Sequence, residues 1–177
     1  MVLQVKPSSD LLTEETAAYH RLVEAVYPRV LLETMPEANI QWMSPELRVM
    51  IWDEGKLVCH VGIVSREANV NGQLLRIGGI GGVMTHPDAR HRGHATAGMK
   101  RAAALLGSEM GASFGLLVCR PDVRGVYAQL GWRVFSGRLL IQQHGQTVAY
   151  ALGAPMLLPL LQLPPDSGEI DLLGLPW

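Results

Sequence analysis

The stretch that most constrains this chain runs from Val83 through Met84-Thr85-His86-Pro87-Asp88-Ala89 into Arg90-His91-Arg92-Gly93-His94-Ala95. A β-rich run breaks into a turn bearing Arg and Gly, and a helix opens straight after it. Such a helix head is a ready site for phosphate. Its first N–H groups have no intrahelical acceptor, the positive end of the macrodipole lies there, and Gly93 lets an anion approach the backbone closely. A pyrophosphate-bearing cofactor is the expected occupant.

The segments around this stretch fix its setting. Ala95, Met99, Ala102, Ala103, Leu106 and Met110 recur at helical spacing, which predicts a helix from His94 to about Met110, stopped by Gly111. Ser113 to Val118 reads as a short buried strand, so strand, helix and strand imply a parallel pair with a right-handed crossover. Upstream, Leu3 to Pro7 reads as a strand and Thr13 to about Val26 as a helix with Glu14 and Glu15 near its positive end. Val30 to Met43 is predicted as short helix and loop. Leu47 to Trp52 and Leu57 to Ala68 form a hairpin around Asp53-Glu54-Gly55-Lys56, and a second turn at Asn69 to Gly72 leads into the strand Gln73 to Thr85. That strand carries Gly78, Gly79, Gly81 and Gly82, a composition that permits bulges and close ligand approach. A short helix from Arg124 to Leu130, closed by Gly131, precedes a strand from Trp132 to Ile141. The pattern predicts an α/β (α+β) fold, a mixed sheet of about six or seven strands with helices on both faces.

No repeat or linker divides the 177 residues, so residues 1–177 are expected to form one domain. The net charge of −1 gives no general attraction to nucleic acid or anionic lipid, and the basic residues gather between Arg90 and Arg101. Cys59 and Cys119 match no zinc spacing, and no metal site is expected. Val148 to Leu161 is apolar but too short for a membrane span and is broken by Gly153, Pro155 and Pro159, so it reads as strand and loop. The first residues lack a basic segment followed by an apolar one, and a cytoplasmic protein is the expectation.

Two blocks together resemble a known superfamily, the GCN5-related N-acetyltransferases (GNAT). Arg90-His91-Arg92-Gly93-His94-Ala95 is similar to its pyrophosphate motif, and Val126-Tyr127-Ala128-Gln129-Leu130-Gly131-Trp132 to its Leu-Tyr-x-x-x-Gly-Phe/Trp segment. Within it the chain looks most like the aminoglycoside 2′-N-acetyltransferases, through Ile51-Trp52, Leu75-Arg76-Ile77-Gly78, Tyr127-Ala128, Gly131-Trp132 and Trp177. A weaker likeness to nodulation-type acyltransferases covers Gly82-Val83 through Gly93.

The resemblance implies a GNAT fold with a βαβ core and acetyl-CoA as co-substrate. It implies pantetheine contacts at Val83, Met84 and Thr85 and pyrophosphate contacts from Arg90, His91, Arg92, Gly93, His94 and Ala95, with Cys119 close to where a cofactor thiol emerges. Met84 N–H is the expected oxyanion donor and Tyr127 the acid that protonates or hydrogen-bonds the departing thiolate. The aminoglycoside enzymes carry a Glu where this chain has Gly81, so the base is sought elsewhere, at His86, Glu33 or Glu37, or through water. Glu33, Glu37, Trp42, Gly81 and Trp177 are the candidate acceptor-binding residues. The acid two residues before the family's final Trp is missing, which favours a less charged or more apolar acceptor than a polycationic aminosugar. The expected reaction is direct acetyl transfer to a primary amine of a small molecule. A true aminoglycoside 2′-acetyltransferase is the first alternative, and a non-catalytic acyl-CoA-binding module the second. Dimers are common in the superfamily, and the apolar C-terminal segment offers an interface for a homodimer.

Overall fold

Alternation along one strand shows how the molecule is layered. The computed structural model describes residues 1–177, the side chain of Leu32 excepted. In chain order its main elements are β1 (Val2–Pro7), α1 (Thr13–Val26), α2 (Arg29–Thr34), β2 (Leu47–Asp53), β3 (Lys56–Val70), β4 (Gln73–Thr85), α3 (His94–Ser108), β5 (Phe114–Cys119) and α4 (Arg124–Ala128). They are followed by β6 (Arg133–Val134), β7 (Arg138–Gln143), β8 (Gln146–Ala149), β9 (Ala154–Pro159) and β10 (Glu169–Asp171). Successive strand residues face opposite sides of a sheet. In β2, Val49 packs with Met99, Ala102 and Leu106 of α3, and Ile51 packs with Ala95 and Ala97 of the same helix. Met50 lies between them and joins Ala18 and Leu22 of α1. Helices α1 and α3 therefore cover opposite faces, as expected.

The sheet order is β6-β9-β5-β4-β3-β10-β7-β8, with β2 and then β1 joined to β3. β3 pairs with β4 antiparallel over most of its length, while its other edge is shared between β2 along the first half and β10 at Asn69 and Val70. β4 pairs with β5 in parallel at Gly78↔Gly115 and Gly79↔Leu116, the crossover the sequence predicts. Past those two positions the strands part, and β5 continues along β9 instead, up to Cys119↔Ala154. The divergence leaves the end of β4 without a neighbour on one edge, and the site forms there.

Ten strands stand where about six or seven were expected. The run Trp132 to Ile141 is not one strand: β6 pairs with β9 at one end of the sheet and β7 with β10 and β8 at the other. The break falls at Phe135–Gly137, where a Cβ on Gly137 would stand 2.2 Å from the Gly168 carbonyl oxygen, so the chain can cross there only without a side chain. The predicted apolar face of α3 is also shifted. Gly98, Met99, Ala102, Leu105 and Leu106 are buried with His94, whereas Ala95, Ala103 and Met110 are half-buried. No helix among the described residues is long and apolar enough to cross a membrane.

Candidate active site

A cavity of about 430 Å³ opens where β4 and β5 diverge. Its floor is Ile80 to Val83 of β4 and Leu117 to Cys119 of β5, and its walls come from α1, from the segment following α2, from α4 and from the C-terminus. The register of β3 against β4 slips inside it. His60 lies opposite Met84 but Gly62 opposite Gly81, so Gly82 and Val83 together face Val61 as a bulge. Gly82 takes φ +56°, the left-handed backbone that a bulge of this kind asks of glycine.

This bulge decides which amides face the cavity. His86 N–H donates to Val58 O at 2.8 Å just past the end of β4, and bonded and unbonded pairs alternate along an antiparallel ladder. Met84 therefore turns its N–H toward His60, while Thr85 presents its own to the open edge. The Met84 side chain is buried against α1. The expected role of Met84 as oxyanion donor is corrected by this phase, since one residue along a strand reverses the direction of the amide.

His60, which sequence reasoning passed over, is fully buried and lines the cavity. Its Nδ1 donates to Gly82 O at 2.8 Å, and its Nε2 accepts from Arg48 Nη1 at 3.1 Å. Tyr19 of α1 packs edge-on at 4.8 Å between ring centroids, and the Arg48 guanidinium lies 4.5 Å above the Tyr19 ring. Burial pushes the imidazole pKa down to about 4; the Gly82 carbonyl opposes this and the Arg48 charge adds to it. His60 is neutral with both nitrogens engaged, and it clasps the bulge rather than accepting a proton. The available signal was a single His inside the apolar run Leu57 to Val64.

Past β4, His86 sits on a turn, half-buried and outside the cavity lining, where its Nδ1 accepts from Asp88 N–H at 3.3 Å. That placement corrects its candidacy as base. Arg90, His91 and Arg92 are exposed, and Gly93 caps α3 with φ +79° and nothing within 4 Å of where a Cβ would stand. The glycine thus serves the backbone conformation, and the first-turn amides of α3 stay uncovered. His94, the first residue of the helix, is buried with both ring nitrogens lacking a partner, and half-buried Ala95 follows.

Tyr127 of α4 enters the cavity from the β5 side, set by the residues that close its helix. Leu130 N–H and Trp132 N–H both donate to Tyr127 O, at 2.9 and 3.2 Å, and the buried Trp132 indole packs under Gly115. Burial raises the phenol pKa well above its ordinary 10, with neighbouring Cys119, Tyr27 and Cys59 adding to the shift. Tyr127 is thus held protonated, a donor. Cys119 lines the same wall, its Sγ 3.5 Å from Met156 Sδ, and burial pushes its thiol up as well.

The C-terminal segment accounts for Gly81. Trp177 is 7% exposed, and its indole N–H donates at 3.0 Å to the carbonyl of Leu116, the last β5 residue paired with β4. The indole lies so close over Gly79 that a Cβ there would be 2.1 Å from its Cε2, and a Cβ on Gly81 would be 2.5 Å from the Trp177 carbonyl carbon. Arg66 holds this segment by donating to Leu175 O at 3.1 Å, and its guanidinium lies 5.5 Å from the indole centre. Gly81 does line the cavity, but Trp177 fills the space a longer side chain would need. Trp42, Tyr150 and Glu37 also line the cavity, with the two aromatic rings edge-on at 6.5 Å. Burial, followed by the Glu37 charge, pushes the Tyr150 phenol up to about 12. Glu33 lies outside the lining, exposed and paired with Arg29 at 2.8 Å, so its candidacy is corrected too.

Comparison with known proteins agrees with this architecture. Residues 9–135 match the family model described as "Acetyltransferase (GNAT) domain". Among solved structures, Escherichia coli ElaA superposes with a TM-score of 0.63 at 16% identity, covering 89% of this chain and 98% of that one. Escherichia coli YhbS, solved in complex with CoA, gives 0.61 at 15% identity over 96% of this chain and 88% of that one. A GNAT acetyltransferase of Brucella melitensis, solved with acetyl-CoA, gives 0.55 at 14% identity over 96% and 94%. With the family model covering most of its length, the chain belongs to the GNAT acetyltransferases, enzymes whose acyl donor is acetyl-CoA.

Proposed function

We propose that this N-acetyltransferase moves an acetyl group from acetyl-CoA directly to the primary amine of a small molecule, and that the cavity between β4 and β5 is where it does so. The observation that carries the reading is the edge of β4 left without a partner beyond Gly79, in a cavity that Tyr127 also lines. Acetyl-CoA suits these residues. Its pantetheine adds to the open edge as a strand would. Its pyrophosphate meets the first-turn amides after Gly93, with the charges of Arg90 and Arg92, and an anion there supplies an acceptor near the orphaned His94 nitrogens.

Val83 N–H, freed by the bulge, donates to the thioester oxygen as negative charge grows on it. Glu37 is the acidic side chain of the lining, and it takes a proton from the incoming ammonium, directly or through water. The neutral nitrogen attacks the thioester carbon, the C–N bond forms and the C–S bond breaks. Tyr127 donates to the departing sulfur, and its phenol recovers a proton from the nitrogen of the adduct. A polycationic aminosugar is disfavoured, because Trp177 stands against Gly81, where the aminoglycoside enzymes carry a Glu.

Calorimetry with CoA and acetyl-CoA, followed by a thiol-release assay over amines of different charge, tests the reading. Micromolar CoA binding and amine-dependent thiol release are expected. An absence of CoA binding would refute it.

A further inference from the structure

We infer that His60 is a positioning residue of the acetyl transfer: by holding the Gly82 carbonyl it aims the Val83 N–H at the oxygen of the bound thioester. The inference rests on the proposed transfer for its chemistry and adds the device that sets its donor. It begins with a carbonyl that the sheet leaves out. The register of β3 against β4 steps from His60↔Met84 to Gly62↔Gly81, so Gly82 and Val83 have no partner in the ladder. A carbonyl excluded in this way must find its donor elsewhere. His60 supplies one from a side chain, Nδ1 to Gly82 O at 2.8 Å. The far side of the ring fixes the direction of that bond. Arg48 carries donors only, so Nε2, 3.1 Å from its Nη1, accepts, and the ring proton sits on Nδ1.

The consequence for Val83 follows from the peptide itself. A peptide unit is planar and the chain has no cis bond, so the Gly82 C=O and the Val83 N–H point in opposite directions. With the carbonyl drawn to His60, the amide points away from β3, and on that side β4 has no partner beyond Gly79. Both residues line the cavity. A glycine at φ +56° leaves its peptide free to turn unless a neighbour holds it. The imidazole is such a neighbour because it is itself fixed. It is fully buried, Tyr19 covers it edge-on at 4.8 Å, and Arg48 is in turn anchored by its Nε donating to Ser8 Oγ at 2.9 Å. Hydrogen bonds in series also strengthen one another. The Arg48 charge draws on Nε2, Nδ1–H draws on the carbonyl, and the polarised peptide becomes a better donor to negative charge growing on the thioester oxygen. His60 acts through this peptide and exchanges no proton.

Acetyl-CoA labelled with carbon-13 at the thioester carbonyl reports the donor, since a hydrogen bond to that oxygen lowers the C=O stretching frequency. Infrared difference spectra of the complex without any amine should show the stretch lowered from its value in buffer. Most of that lowering should be lost in His60→Phe, which keeps a ring against Tyr19 but has no donor, and most of it kept in His60→Gln, which retains an N–H. The Kd for acetyl-CoA should stay within about twofold in both variants, which shows that they are folded and separates positioning from binding. In thiol release with 2-phenylethylamine or spermidine, kcat of His60→Phe should fall about tenfold or more while the KM for acetyl-CoA is unchanged. Where His60→Phe does not fold, Arg48→Met, which frees Nε2 without touching the cavity, carries the same spectral expectation. No lowering in bound wild type, full lowering in the variant without the clasp, or a loss in His60→Gln as large as in His60→Phe would overturn the inference. A His60-dependent lowering without amine-dependent thiol release would sustain the aiming of Val83 and refute the proposed transfer, and an absence of acetyl-CoA binding to wild type would refute both.

Discussion

The His60 clasp makes the stability of this protein depend on pH in a particular window. Folding takes the imidazole from an ordinary 6.5 to about 4. Between those values the unfolded chain binds the proton and the native chain does not, so stability falls as pH drops through the window and is unaffected above it. At about 1.4 kcal/mol per pH unit the full gap is worth about 3 kcal/mol, of which about 2 kcal/mol is lost between about pH 7 and pH 4.5. His60→Gln removes the titration while keeping an amide N–H for the Gly82 carbonyl and an oxygen for Arg48. It should cost on the order of 1 kcal/mol at about pH 7 through imperfect fit. Urea unfolding of both proteins at several pH values isolates the effect, since carboxylates such as Glu15 titrate alike in each. Glu15 is held below its ordinary 4.5 chiefly by its hydrogen bond with Lys6, and it contributes stability that is lost below that value in wild type and variant equally. The stability difference in favour of wild type should shrink, and reverse sign, on acidification to about pH 4.5. Parallel curves would show that His60 is protonated in the native state or reached by water, and the argument for a clasped bulge would fail with them.

Gly81→Glu restores a carboxylate at the cost of the Trp177 packing, and thermal unfolding should show a loss of about 2 kcal/mol or more, with a shift in indole fluorescence. A stable variant with unchanged fluorescence would mean the C-terminal segment does not occupy that space. Tyr127→Phe should lower kcat by about 10- to 100-fold with the KM for acetyl-CoA within twofold. Because burial raises this phenol, the wild-type rate should show no loss through Tyr127 ionisation up to about pH 10, and an alkaline limb that Tyr127→Phe abolishes would contradict that. Gly93→Ala meets no neighbour but keeps a positive φ, so it should cost about 1 kcal/mol of stability and weaken CoA binding on the order of tenfold, as calorimetry would show; unchanged affinity would remove the loop from the site.

How much of this was legible from sequence follows the range of the forces involved. The proposed cofactor half is written locally, in the Gly93 turn, the helix head that follows it and the Gly131-Trp132 closure that sets Tyr127, and each of these works within one stretch of chain. The proposed acceptor half is assembled from segments far apart in sequence. Nothing near Gly81 says that Trp177 will lie against it, and nothing near Glu37 says that Glu33, four residues away, will face solvent and pair with Arg29 instead. The bulge at Gly82 reversed the expected role of Met84 because strand sequence carries the face of a side chain but not which neighbour its amide will bond. His60 shows why the two halves had to be found together. It lies on β3, its partners are the Gly82 carbonyl on β4 and Arg48 on β2, and Tyr19 on α1 covers it, so four elements fix one peptide in the cavity floor. The Nδ1–H can hold the Gly82 carbonyl in either protonation state, but Nε2 accepts from Arg48 only while the ring is neutral, so the packing of α1 over His60 is what lets β2, β3 and β4 meet at this peptide.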